Sequence, residues 1–128
     1  MTGLLLVSHS RKLVDGLADL TRELSGPSVP IATAGGEDAL GVTAAMVAES
    51  ISSLLSQGVS GILIFGDVGS AFISAETAIE LAASSKPVQI VDAPLVEGAI
   101  AAAMTLSTGA SMDEARQAGE EAYTIRKQ

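Results

Sequence analysis

The chain has 128 residues, of which 48% are hydrophobic and 17% are charged, so we expect one domain over residues 1–128 with a core of its own. Aromatic residues make up 2% and the formal net charge is −8, which leaves neither a base-stacking surface nor a positive field, and excludes nucleic acid as an expected partner. The lack of cysteine removes disulfides, thiolate nucleophiles and cysteine metal sites.

The amino-terminal residues have no basic region, and no apolar run reaches the length of a membrane span. We therefore expect no signal peptide, no membrane partner and a cytoplasmic location. The missing cysteines fit a reducing compartment.

Two strand-helix units make up the first half of the chain. An apolar run over residues 3–7 predicts a buried strand, and the following helix ends at residues 25–27. We expect this helix to bury one leucine face. The leucines, at helical spacing, are Leu13, Leu17, Leu20 and Leu24. The second unit is a strand over 29–33, a glycine-rich turn over 34–38 and a helix over 42–57.

Two further units follow in the second half. They are a strand over 59–65 with a helix over 71–84, and a strand over 87–91 with a helix over 95–106. The last of these helices is apolar nearly all round, so we expect a second copy of the chain to cover part of it and form a homodimer. Its large and small apolar residues are Leu95, Val96, Ala99, Ile100, Ala103 and Met104. A fifth helix over 111–125 begins with a capping box, Ser111 with Glu114.

Strands that alternate with helices predict an α/β fold: a doubly wound, four-stranded parallel sheet in the order 2-1-3-4, with helices on both faces. In such sheets ligands bind at the carboxyl ends of the strands. The loops expected there cover residues 8–10, 34–41, 66–70 and 92–94.

His9 is the single histidine and directly follows the first strand, at the start of a helix. The unpaired amides of a helix amino terminus favour an anion and disfavour an imidazolium, so we expect His9 to stay neutral and nucleophilic. A phosphoryl group on His9 would meet the hydroxyls of Ser8 or Ser10 and the first helical amides. The alternative interpretation is that His9 only caps the helix or fills a turn.

Asp67 follows the third strand, which neighbours the first strand in the expected order. Its carboxylate can accept the N–H of one imidazole nitrogen of His9 and leave the other nitrogen free to attack. Gly69 and Ser70 would add room and a second set of amides for a phosphate. The alternative is that Asp67 or Ser70 is a helix cap.

The sequence gives little support for a nucleotide, metal or cofactor site. The chain contains no phosphate-loop or dinucleotide-binding glycine motif, and a lone histidine without cysteine predicts neither a metal site nor a cofactor site. Arg11 and Asp15 have the spacing of a surface ion pair on a helix, so a substrate contact by Arg11 is the weaker interpretation.

Three ordered motifs make the chain resemble the DhaM family, the phosphotransferase-system subunits of bacterial dihydroxyacetone kinase, over nearly its whole length. The motifs are Val7-Ser8-His9-Ser10, then Gly66-Asp67-Val68-Gly69-Ser70-Ala71 with Ser74-Ala75-Glu76-Thr77-Ala78, and Ala93-Pro94-Leu95-Val96-Glu97-Gly98. The resemblance implies the mannose-type enzyme IIA fold and phosphorylation of His9 by the carrier HPr. The phosphoryl group would then pass to ADP held in the DhaL subunit, which phosphorylates dihydroxyacetone bound to DhaK.

Two departures from the family pattern stand in the loops: Val68 replaces a Leu or Met, and Leu40-Gly41-Val42 replaces Ile-Gly-Thr, which removes a hydroxyl that Thr43 could supply. The chain ends before the HPr-like domains of some members, so we expect a separate donor. Two alternatives stay open. One is the enzyme IIA component of a mannose-type sugar transporter, although its Thr-His-Gly motif is absent, and the other is a non-catalytic module that binds an anion or a partner.

Overall fold

The computed structural model describes residues 1–38 and 41–128. In chain order the elements are β1 (Thr2–Ser8), α1 (Arg11–Ser25), β2 (Ile31–Gly35), α2 (Ala44–Ser56), β3 (Gly61–Gly66), α3 (Gly69–Ala82), β4 (Val88–Ile90), α4 (Leu95–Ser107), α5 (Met112–Glu121) and a short 3-10 turn (Ala122–Thr124). Within the described residues, no helix is both long enough and apolar enough to cross a bilayer.

The four strands form one parallel sheet in the order β2-β1-β3-β4, which confirms the predicted fold class and strand order. The two central strands, β1 and β3, are buried along their whole length, as continuous apolar runs predict. Val7 lies opposite Gly66 in the β1–β3 register. The residues that follow these two strands therefore emerge side by side at the carboxyl edge of the sheet.

Successive side chains of the central strands point to opposite faces of the sheet and build two cores. Leu4, Leu6 and Phe65 belong to the core under α1, α4 and α5. Leu5 and Ile64 belong to the core under α2 and α3. Each face of the sheet is thus covered by helices, as a parallel sheet requires.

The predicted buried face of α1 is wrong for three of its four leucines. Leu17 is 5% exposed, but Leu13, Leu20 and Leu24 are 45%, 41% and 51% exposed. The buried residues of α1 are Val14, Leu17, Ala18, Thr21 and Ser25. Two polar residues can face the core because their hydroxyls donate to carbonyls one turn back in the helix, at 2.7 and 2.8 Å.

The apolar face of α4 is partly covered within the chain. Ala99 and Ala103 are fully buried, whereas Val96 and Met104 are 41% and 47% exposed. Helix α5 packs on α4, and Gly98 lies at this contact and against the segment before α4: a Cβ there would stand 3.4 Å from the Gly119 carbonyl oxygen and 2.7 Å from the Cβ of Ala93. At the start of α5, the predicted capping box between Ser111 and Glu114 is present.

Candidate functional site

The candidate site lies at the carboxyl edge of the sheet, between the β1–α1 and β3–α3 connections. His9 follows β1, and Asp67 follows β3. Because the two strands are neighbours in register, the structure brings these two predicted residues into contact, with His9 Nδ1 3.1 Å from Asp67 Oδ1.

The Asp67 carboxylate accepts hydrogen bonds from four donors, one of which, His9 Nδ1, also lies 3.4 Å from the second oxygen, Oδ2. Oδ2 accepts from the Ser8 hydroxyl and from the His9 backbone N–H, both at 2.9 Å. Oδ1 accepts from the Val68 backbone N–H at 2.7 Å and from His9 Nδ1 at 3.1 Å. Four donors from two connections hold the carboxylate in one orientation and tie the two loops together.

These contacts keep Asp67 ionised. Burial alone would raise the pKa of the Asp67 carboxyl, but the hydrogen bonds from His9, Ser8 and Val68 outweigh it and lower the pKa below the usual value of 3.8. An ionised carboxylate can only accept hydrogen bonds, so Nδ1 of His9 carries the proton in their contact.

The second ring nitrogen of His9 faces α3. Its Nε2 lies 2.5 Å from the Ser70 hydroxyl oxygen. With Nδ1 protonated in a neutral ring, Nε2 presents a lone pair that accepts the Ser70 O–H. The His9 side chain is 39% exposed. Nε2 is therefore the ring nitrogen with a free lone pair, and it lies at the protein surface.

The amino terminus of α3 lies beside Nε2 of His9. This helix begins at Gly69, two residues before the predicted start, and its cap residue Val68 offers no side-chain hydrogen bond. The first amides of α3 have no acceptor within the helix. A Cβ on Gly69 would meet nothing within 4 Å, so the surface beside this residue is open. Neither Asp67 nor Ser70 caps the helix, contrary to the alternative prediction.

The hydroxyls of Ser8 and Ser10, for which a phosphate contact was predicted, make hydrogen bonds within the protein. Ser8 is fully buried, and its hydroxyl donates to Asp67 and accepts from the Ser10 N–H at 3.0 Å. The Ser10 hydroxyl caps α1 by accepting from the Leu13 N–H at 3.2 Å. The Arg11 amide donates to the Gly36 carbonyl at 3.0 Å. The first turn of α1 is thus largely engaged. At the start of α3 the Ala71 N–H donates to the Val68 carbonyl at 3.0 Å, and no acceptor for the N–H groups of Gly69 and Ser70 is present among the described residues.

The Arg11 guanidinium forms ion pairs with two carboxylates. Its Nε lies 3.3 Å from Glu37 Oε1, and one terminal nitrogen lies 3.8 Å from Asp15 Oδ1, which is the predicted ion pair on α1. Glu37 was not expected as a partner, because ion pairs between a helix and a distant loop leave no spacing in the sequence. Arg11 therefore positions the loop after β2.

Two glycines of the loop after β2, which was expected at the ligand edge of the sheet, lie against His9. A Cβ on Gly41 would lie 3.2 Å from His9 Cδ2, and a Cβ on Gly36 would overlap the His9 carbonyl oxygen. Gly41 also has a φ of +69°, which favours glycine. Both glycines let the loop pack directly on His9.

At residues 40–42 the sequence departs from the family pattern, and the structure shows where Val42 and the neighbouring Thr43 lie. Leu40 lies outside the described residues. Val42 is 6% exposed and belongs to the core. The Thr43 hydroxyl accepts from the Met46 N–H at 3.3 Å and caps α2, so it does not replace the missing hydroxyl near His9.

Comparison with known proteins identifies related chains. The model of the family described as "PTS system fructose IIA component" (EIIA-man) matches residues 3–116. A protein of Listeria innocua, "PEP-dependent dihydroxyacetone kinase 2, phosphoryl donor subunit DhaM", is 43% identical over 81% of this chain and 85% of its own length. The "PEP-dependent dihydroxyacetone kinase, phosphoryl donor subunit DhaM" of Providencia stuartii is 39% identical over the whole chain, which spans 28% of that longer protein.

Solved structures share the fold. The protein described as "Crystal structure of unknown function protein EF1359" superimposes with a TM-score of 0.81 at 29% identity, over 94% of this chain and 93% of its own. The mannose/sorbose specific IIA subunit of Enterococcus faecalis gives a TM-score of 0.58 at 16% identity, over 99% and 95% of the two chains. At that identity the second likeness shows the fold alone.

Proposed function

Since this chain belongs to the family of mannose-type IIA components, and within it to the DhaM phosphoryl donor subunits, we propose that it is a histidine phosphocarrier that serves a dihydroxyacetone kinase. His9 accepts a phosphoryl group from HPr and passes it to ADP in a DhaL subunit, and DhaK presents the dihydroxyacetone. One observation carries the proposal: Asp67 holds Nδ1 of His9, while Nε2 lies at the surface beside Ser70 and the amino terminus of α3.

In the first step the Nε2 lone pair attacks the phosphorus of the donor phosphohistidine in line. The new N–P bond forms on His9 as the donor N–P bond breaks, and the donor ring keeps that electron pair. Positive charge develops on the His9 ring, and the ionised Asp67 stabilises it through the Nδ1–H. Asp67 therefore acts as the residue that selects the tautomer and balances the charge.

Ser70 has two positions in this mechanism. In the resting protein its hydroxyl donates to Nε2, and during transfer it turns to donate to a phosphoryl oxygen. The amides of Gly69 and Ser70 meet the same group at the helix amino terminus. Gly69 keeps that approach open. The phosphate site thus consists of one hydroxyl and the first turn of α3.

In the second step a terminal oxygen of ADP attacks the phosphorus, the N–P bond of His9 breaks and Nε2 regains its lone pair, so that ATP forms on the acceptor. The chain has a net charge of −8 and no phosphate-loop motif, so it does not gather free nucleotide. The acceptor subunit must hold ADP and present it in line to His9.

Labelled phosphoenolpyruvate with enzyme I and HPr tests the first step. The chain should gain one acid-labile phosphoryl group, and His9→Ala should gain none. The labelled protein is then mixed with free ADP, with ADP-loaded DhaL and with the IIB subunit of a mannose-type transporter. Discharge to DhaL alone supports the proposal. Discharge to the IIB subunit alone would instead assign the chain to sugar transport, and no acceptance of label would favour the anion-binding module.

We also propose that the carrier is a homodimer, joined through an apolar surface on α1 and α4. The surface consists of Leu13, Leu20, Leu24, Val96 and Met104, each more than 40% exposed. On α1 the polar residues Asp15 and Arg22 reach β2, so at 100° per residue the leucines lie on the opposite side, toward α4. A second copy would cover this surface in a symmetric dimer.

A further inference from the structure

Helix α3 carries a second serine whose hydroxyl the proposed mechanism does not use. Ser74 lies four residues after Ser70, so the two side chains stand on the same face of the helix, one turn apart. The Ser70 hydroxyl contacts Nε2 of His9, whereas the Ser74 hydroxyl donates to the backbone carbonyl of Val42 at 3.3 Å. One face of α3 therefore contacts both the His9 ring and the loop after β2.

The loop residue before Val42 closes a third side of the His9 ring. A Cβ on Gly41 would lie 3.2 Å from Cδ2 and 4.0 Å from Nε2. Asp67 and Ser70 contact the two ring nitrogens, so the ring is bounded at Nδ1, at Nε2 and along the edge that carries Cδ2. Because Cδ2 is bonded to Nε2, the backbone of Gly41 limits how far the ring can tilt away from Ser70.

Gly41 depends on its neighbours to stay in this place. It has no side chain that could pack in the core, and its φ of +69° lies in a region that glycine enters and leaves freely. Its N–H donates to the Asp38 carbonyl at 3.0 Å, which closes a turn within the loop itself. The attachment to the rest of the fold comes from Val42, whose side chain is 6% exposed in the core under α2 and α3 and whose carbonyl accepts from Ser74.

We propose that Ser74 is a positioning residue for phosphoryl transfer, an inference that rests on the proposed function of His9. Its hydroxyl holds the Val42 carbonyl on the face of α3 that carries Ser70, and this keeps Gly41 against the edge of the ring. In-line attack depends on the direction of the Nε2 lone pair, and a displacement of about 1 Å can cost about 100-fold in rate. Ser74 acts through Val42 and Gly41 on the orientation of the ring, and the contact with the phosphoryl group belongs to Ser70.

A matched pair of variants tests this role. Ser74→Ala removes the hydroxyl that holds Val42. Ser50→Ala removes a hydroxyl of α2 that donates to the Thr33 carbonyl at 2.8 Å. Both serines are half-buried, and both hydroxyls join a helix to the backbone of another segment. The two variants should therefore lose similar stability, and they differ in whether the broken bond lies next to Gly41.

Transfer is measured with phosphoramidate, a small P–N donor that needs no protein contact, and with purified phospho-HPr. We expect Ser74→Ala to react with phosphoramidate about tenfold more slowly than the wild type, and Ser50→Ala to stay within about twofold. With phospho-HPr the loss should appear in kcat while KM is nearly unchanged, because the variant alters the alignment of the reacting atoms rather than the binding of the donor.

The distance between Gly41 and the ring gives a readout that a general loss of stability would not move. In the wild type the δ2 proton of His9 and the α protons of Gly41 should show a strong nuclear Overhauser effect, because the two groups are in contact. The effect should weaken in Ser74→Ala and persist in Ser50→Ala.

The two proposals fail in different ways. If neither donor labels His9 in the wild type, the proposed function fails. If the wild type is labelled but Ser74→Ala and Ser50→Ala have the same rates, Ser74 is not a positioning residue and the proposed function stands. A wild type without the Overhauser effect, or a change in either the rate or the effect of Ser74→Ala without the other, would also overturn the role of Ser74.

Discussion

Asp67 and Ser70, three residues apart in the chain, hold the two ring nitrogens of His9 from opposite sides. Asp67 Oδ1 lies 3.1 Å from Nδ1, and the Ser70 hydroxyl lies 2.5 Å from Nε2. One short connection therefore sets both the tautomer of the ring and the environment of its nucleophilic atom. The consequences can be tested residue by residue.

Asp67→Asn should fold and still accept phosphate more slowly. An amide of nearly the same shape can donate to Nδ1 and place the ring proton on Nε2, which removes the attacking lone pair. We expect transfer from phospho-HPr to fall by about 100-fold or more. The transfer rate is measured together with the ¹⁵N shifts of the ring, which report the tautomer. An unchanged rate would remove Asp67 from the mechanism.

Ser70→Ala should weaken the phosphorylated state. The hydroxyl is lost as a donor to the phosphoryl group, and a hydrogen bond to a charged group contributes about 1.5–3 kcal/mol. We expect about a tenfold or larger decrease in the transfer rate. Ser53→Ala removes an exposed hydroxyl from α2 and serves as the matched control. Equal rates for both variants would leave Ser70 without a role.

The Asp67 carboxylate should make the free energy of unfolding depend on pH. The pKa of Asp67 is lower in the folded chain than its usual value of 3.8. Its contribution to stability is therefore complete above that value and is lost as the pH falls toward the folded pKa. Urea unfolding below pH 4 should show a steeper loss of stability in the wild type than in Asp67→Asn. Parallel curves would show that Asp67 does not stabilise the fold by its charge.

Two glycine-to-alanine substitutions should change the free energy of unfolding in opposite directions. Gly98→Ala places a Cβ 2.7 Å from that of Ala93 and forces α4 from its place, at a cost of about 1–3 kcal/mol. Gly16→Ala meets nothing within 4 Å on α1 and should stabilise the chain by about 0.5–1 kcal/mol. The midpoints of thermal unfolding measure both effects. A stabilised Gly98→Ala would contradict the packing of α4.

The oligomeric state tests the surface on α1 and α4. We expect a dimer by light scattering at micromolar concentration, and a monomer for Leu20→Glu, because a buried unpaired carboxylate opposes association. Leu81→Glu, on the other face of the sheet, should stay a dimer. A wild-type monomer would show that no second copy covers these leucines.

The periodicity of the sequence determined the order and type of the elements, and with them the meeting of His9 and Asp67. Four apolar runs alternating with helices permit few topologies, and the parallel order places the ends of β1 and β3 together. The motif residues around His9 and in residues 66–71 indicated the family. These features depend on local pattern and on the general rules of chain connection, so a single sequence carries them.

Only the tertiary structure decided which side of α1 faces the core and which serine hydroxyl contacts Nε2 of His9. Periodicity shows that the leucines of α1 share a face, but the buried side also depends on how closely Ala18 and Thr21 let the helix approach the sheet. Likewise Ser8, Ser10 and Ser70 have the same chemistry, and their roles follow from which neighbours each hydroxyl meets. Ser8 meets Asp67 in the interior, Ser10 meets an amide of its own helix, and Ser70 alone reaches Nε2. Contacts between residues about 60 positions apart leave no local pattern, so the sequence alone could not show which of these hydroxyls meets the His9 ring.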